Sequence, residues 1–149
     1  MKTTGFILVL TFIIIGVIEG QSPQNGSDTG TLTILISGLQ NDNGDVRIGL
    51  FNSEESFKGQ TEKFKGTIIK PEHKMATWKI EDLPFGYYAV KVFHDEDQDD
   101  EIDRKFGIPS EGFGFSNNPG ILYGPPGFDK TKFLFNSDSM TIEIKLIIF

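Results

Sequence analysis

The 149-residue sequence contains no cysteine, which excludes disulfide staples, thiolate metal sites and lipid attachment through an N-terminal cysteine. Its two histidines, His73 and His94, stand in separate segments, so a transition-metal site built on paired imidazoles lacks its ligands. No cluster of Lys and Arg is present, and the formal net charge is -7; a surface for nucleic acid needs the opposite balance. The longest apolar run, Phe6 to Ile18, covers 13 positions, short of the ~20 that a bilayer-crossing helix requires. The later part of the chain lacks the amphipathic stretches of a dozen or so residues that a parallel α/β fold uses as crossovers.

What stands at the front is the layout of a secretory signal peptide. Lys2 precedes the apolar run and the small residue Gly20 follows it. The expectation is a signal peptide over 1–20 with cleavage after Gly20, then a flexible leader over 21–30, "QSPQNGSDTG", and one folded domain over 31–149. An export signal on a chain without cysteine suits a bacterial periplasmic or secreted domain, with no transmembrane segment once the signal is removed.

From Thr31 onward, apolar residues recur with period two. Leu32, Ile34 and Ile36 share a face, as do Val46, Ile48 and Leu50, then Ala76, Trp78 and Ile80, and later Ile142, Ile144, Leu146 and Ile148. Turn clusters separate these runs, among them "QNDNGD" at 40–45, "LPFG" at 83–86 and "NSDS" at 136–139. The pattern predicts about seven strands, near 31–37, 46–52, 66–70, 75–80, 87–94, 131–135 and 140–148, with a short helix in "SEESFKGQTEKF". The fold class is all-β, an antiparallel two-sheet β-sandwich of immunoglobulin-like or transthyretin-like Greek-key type, with Trp78 in its core.

Charge is concentrated in one place. "HDEDQDDEID" at 94–103 carries seven acids and no base, while the rest of the chain balances at 14 acids and 14 bases. Asp95, Asp97, Asp99, Glu101 and Asp103 occupy positions one, three, five, seven and nine of a loop, the alternation with which calcium loops present oxygen ligands to Ca²⁺. The match to an EF-hand is incomplete, since position six is Asp100 instead of Gly and position twelve is Phe106 instead of Glu. Two readings therefore stand side by side: a calcium loop outside the EF-hand class, or a solvated tip that keeps a sheet edge unpaired.

Catalytic chemistry has little to build on. His94 at a strand end reads as an anchor for the following loop, and Ser110 and Ser116 lie outside any G-x-S-x-G elbow. An enzyme would have to use a cleft around His94, Asp95 and Glu111. Residues 105–128, "KFGIPSEGFGFSNNPGILYGPPGF", are rich in Gly, Pro and aromatics and read as a long functional loop. Phe106, Phe113, Phe115, Tyr123 and Phe128 are expected to pack as a lid over one open end of the sandwich, the alternative being a stacking platform for a carbohydrate or peptide.

The stretch "LPFGYYAVKVFHDEDQDDEIDRKFGIPSEGFGFSNN", followed by "GPPGF", resembles the bacterial exported proteins of the domain-of-unknown-function family numbered 2141. The resemblance rests on the pattern "PxGxYA" at Pro84 to Ala89, "HDxNxNxxxD" at His94 to Asp103, "GxPxEGxGFSNN" at Gly107 to Asn118 and "PxF" at Pro126 to Phe128. Asp97 and Asp99 replace the Asn that the family often carries, which makes this loop more acidic. The resemblance implies an exported β-sandwich and no established activity. Together these readings lead to a non-catalytic exported module that uses its acidic loop, with calcium, and its aromatic loop to bind a cell-envelope protein or carbohydrate; an envelope enzyme and a purely structural accessory domain are the alternatives.

Overall fold

The computed structural model describes residues 28–121 and 124–149; the expected signal peptide and most of the leader lie outside them. The first sheet has β1 (Thr29–Ser37) at its centre, antiparallel to β4 (Ala76–Pro84) on one side and parallel to β10 (Ser139–Lys145) on the other. The second runs in the order β3 (Lys65–Ile69), β2 (Asp45–Phe51), β5 (Gly86–Asp95), β8 (Phe113–Phe115). The start of β5 also pairs with β9 (Phe133–Phe135). The strands β6 (Arg104–Lys105) and β7 (Ile108–Pro109) form a small hairpin of their own. Among the described residues two single-turn helices complete the fold, α1 (Glu54–Phe57) and α2 (Phe128–Thr131).

The all-β, sandwich-like architecture follows from the alternation in the sequence. Leu32, Ile34 and Ile36 of β1 face Val46, Ile48 and Leu50 of β2 and Val90 and Val92 of β5 across one continuous core, all of them essentially closed to solvent. Burial at roughly 25 cal/mol per Å² of apolar surface makes this layer the main source of stability. The alternation shifts phase in β4: Ala76 and Ile80 are buried, then Glu81 and Asp82 both face solvent, and Leu83 is buried. The β1 register shifts between Gly30 and Leu32 opposite this point, and Asp82 has φ 52, so an extra residue is accommodated as a β-bulge.

Several boundaries differ from expectation. β1 begins two residues inside the stretch assigned to the leader. Ten strands form among the described residues in place of about seven, because the end of the acidic run and the segment read as a long loop supply β6, β7 and β8. Among the described residues one strand pairing, β1 with β10, is parallel. β10 stops at Lys145: the Leu146 amide still donates to Ser37 O at 2.8 Å, but Ile147 exchanges hydrogen bonds with Phe113 of the second sheet. Trp78 is half-buried against the core instead of enclosed in it. The short helix appears where "SEESF" suggested it, capped by Ser53 Oγ accepting from Ser56 N at 3.2 Å.

Candidate functional site

The acidic loop begins where β5 ends, and its first acid is not on the surface. Asp45 of β2 stands opposite Asp95, and Arg47 lies diagonally across from it on the same face. Asp95 is fully buried. Arg47 Nε donates to Asp95 Oδ2, and its terminal nitrogen Nη2 pairs with Asp100. Gln98 and Asp100 adopt positive φ, 64° and 74°. The turns so formed point two backbone amides inward: Asp99 N donates to Asp95 Oδ1 and Asp100 N to Asp95 Oδ2, both at 3.2 Å.

Three further groups fasten the loop at its base. Glu111, buried, accepts from Glu96 N at 2.7 Å with one oxygen and from Asp103 N at 3.1 Å with the other, bridging the two ends. His94 faces the other side of β5, where Nε2 donates to Asn43 O at 2.7 Å. Asp45 accepts from Gln98 Nε2 at 2.6 Å and pairs with Lys70 at 2.9 Å. The turn carrying Asn43 packs so tightly that a Cβ on Gly44, φ +61°, would come within 1.9 Å of Asp95 O. Only glycine fits there.

The electrostatics follow from this geometry. Burial alone pushes the Asp95 carboxyl up, but the Arg47 guanidinium and the amides of Asp100 and Asp99 outweigh it and hold the group below its ordinary 3.8. Asp45 is likewise held low, by the Gln98 hydrogen bond first and Lys70 next.

Of the five acids read as calcium ligands, three come together. Asp95, Asp97 and Asp99 each offer an oxygen within 4.8 Å of the others, the first buried and the other two exposed. Glu101 and Asp103 stand outside that group; the Glu101 amide donates to Asp99 Oδ1 at 2.9 Å, and Asp103 is tied through its backbone to Glu111 and Ser110. Asp97, Asp99, Glu101 and Asp103 have no cationic partner among the described residues. Sequence reasoning missed Arg47, which lies 48 residues upstream of Asp95, where only its place on the outward phase of β2 hinted at a role.

His94, Asp95 and Glu111, the trio an enzyme would need, are all buried and each is held by hydrogen bonds that anchor the loop. Ser116 is also committed: its hydroxyl accepts from Val90 N at 2.8 Å and donates to Thr131 O at 2.6 Å. The two asparagines beside it, both at positive φ, continue the stitching. Asn117 donates to Lys132 O at 2.9 Å; Asn118 donates to Glu143 O at 2.9 Å and accepts from Lys145 N at 2.8 Å. "SNN" is thus a fastening of β8 to α2 and β10.

The aromatic segment divides. Phe106 is fully exposed, and Tyr123 lies outside the described residues. Phe113, Phe115 and Phe128 pack with Phe51, Phe57 and Ala89 on the outer face of the second sheet, instead of covering an open end of the sandwich. The reason is β8, which pairs with β5 and lays its two phenylalanines on the face that carries Lys91 and Phe93.

A family model described as an uncharacterized protein conserved in bacteria (DUF2141) matches residues 34–143, from the first core strand to the last. The chain belongs to that family. The DUF2141 match spans the acidic loop, Glu111 and the "SNN" fastening alike. No curated protein and no solved structure matches the chain.

Proposed function

We propose that this DUF2141 chain is an exported, non-catalytic binding module whose acidic loop closes around calcium. The observation that carries the reading is the turn built on Asp95: it draws the amides of Asp99 and Asp100 inward and leaves the Asp97 and Asp99 carboxylates close to its own with no cation opposite them. Arg47 offsets Asp95 and Asp100 only. Like charges at this spacing repel, and Ca²⁺, which takes 6 to 8 oxygens in flexible geometry, suits a loop that supplies carboxylates and carbonyls together. A non-catalytic role is supported by the commitment of His94, Asp95, Glu111 and Ser116 to hydrogen bonds inside the fold. Export rests on the Lys2 to Gly20 layout. Among the described residues no helix is long and apolar enough to cross a membrane.

Calorimetric titration with calcium, paired with thermal unfolding, tests the metal. A ligand that binds only the folded loop stabilises it by about 2.7 kcal/mol at a free concentration 100 times Kd, so the melting temperature should rise with calcium concentration. Magnesium should do less, because it dehydrates reluctantly and demands octahedral geometry. Asp97→Asn with Asp99→Asn should weaken the response, since amide oxygens still coordinate, and Asp97→Ala with Asp99→Ala should remove it. No calcium heat and no melting shift at millimolar calcium would leave the acids as a solvated tip. Export is checked separately by N-terminal sequencing, which should find the mature chain starting near Gln21.

A further inference from the structure

The outer face of the second sheet carries a half-open groove of about 570 Å³. Two cross-strand neighbours, Gly49 of β2 and Gly66 of β3, have no side chains, and the space they leave is taken by the Phe51 ring, 2.9 Å from where a Gly49 Cβ would stand, and by the Lys63 side chain, 2.5 Å from where a Gly66 Cβ would; Lys91 of β5 is the next residue in the same row. Phe51, Phe93, Phe113 and Phe115 line the groove, and Asp100 and Ile102 of the acidic loop also border it. A volume of this size matches sites for small organic ligands, which are commonly ~300–1,000 Å³.

Its charge is unlike that of the molecule as a whole. Arg47 is occupied by Asp95 and Asp100, which leaves Lys91 and Lys63 as the lining cations without a carboxylate partner among the described residues. Lys91 is half-buried. Its ammonium sits 4.0 Å from the Phe57 ring centre and 5.2 Å from that of Phe51, and it donates to Phe57 O. Burial pushes this ammonium below its ordinary value, with no anion to offset the effect. Four phenylalanines, with Ile68 and Ile102, make most of the lining apolar, which favours a ligand with an apolar body.

We infer that this groove binds a small organic anion with a flat apolar body, the body lying among the phenylalanines over the row in which Phe51 and Lys63 fold across Gly49 and Gly66, and the anionic group meeting Lys91, with Lys63 beside it. The inference rests on the reading of the chain as a binding module but needs no metal in the acidic loop. It is therefore tested in EDTA as well as in calcium, so that either can fail without the other.

The probe is 1-anilinonaphthalene-8-sulfonate, an apolar body with one anionic group, compared with N-phenyl-1-naphthylamine, which lacks the charge. Fluorescence titration of the folded protein should give saturable binding of the sulfonate. Lys91→Gln should weaken it about tenfold, the worth of one lost charged hydrogen bond, while the neutral dye is unaffected. Lys63→Gln should give a smaller loss of the same sign. Equal sulfonate affinity in wild type and both variants, or no saturable binding by the folded protein, overturns the inference. Should Lys91→Gln fail to fold, amide NMR of the wild type decides: shifts clustered at Gly49, Gly66 and Lys91 support the groove, and shifts elsewhere overturn it.

Discussion

Asp95 lies completely out of solvent at the end of β5 and stays charged, because Arg47 and two backbone amides stabilise the anion more than burial destabilises it. A carboxyl held below its unfolded value adds stability that is complete above about pH 5 and is lost progressively as the pH falls through the unfolded and then the lowered folded value. Arg47→Met should remove the counter-charge and cost about 3 kcal/mol near pH 7, measured as a fall in the urea midpoint, since the cost of an unpartnered buried ion exceeds the worth of the pair. The sign of the acid dependence should then reverse at this residue: unpartnered, Asp95 is stabilised by protonation, so the gap between variant and wild type should narrow from pH 7 to pH 3. The pairing was not legible in the sequence. Arg47 and Asp95 lie far apart in the chain, and no local period announces a contact that only the β2–β5 register creates.

At the scale of elements, the longer strands were legible because alternation is a property of the few residues themselves. β8 was not: "FGF" sets glycine between two phenylalanines, and Gly114 is needed because a Cβ there would come 2.8 Å from Ile144. The two-residue strands β6 and β7 are too short to show a period at all. Acid clustering was visible in the sequence, whereas the division of those acids into one buried anchor, Asp95, and exposed oxygens depends on the turns at Gln98 and Asp100. Beyond its pairing with β5 and the Phe113–Ile147 bridge, β8 is held by Ser116 and Asn118. Ser116→Ala should leave the Val90 amide and the Thr131 carbonyl without their partner and cost about 2 kcal/mol. Hydrogen exchange should show the Val90 amide losing protection, with the acidic loop keeping its calcium response.

Across the whole molecule, one core layer serves both sheets, and no disulfide reinforces it. Ile144→Asp should therefore abolish cooperative unfolding, monitored by circular dichroism, because an unpaired buried charge costs several kcal/mol against a total stability of about 5–15 kcal/mol. The parallel pairing of β1 with β10 joins the earliest described strand to the last. A polypeptide emerges from the ribosome amino end first, so β1 has only β4 beside it until synthesis has passed Lys145, and its other edge stays open during that interval. A nascent chain halted before Ser139 should remain susceptible to protease, and emergence of β10, not appearance of the earlier strands, sets the moment at which the domain becomes protected.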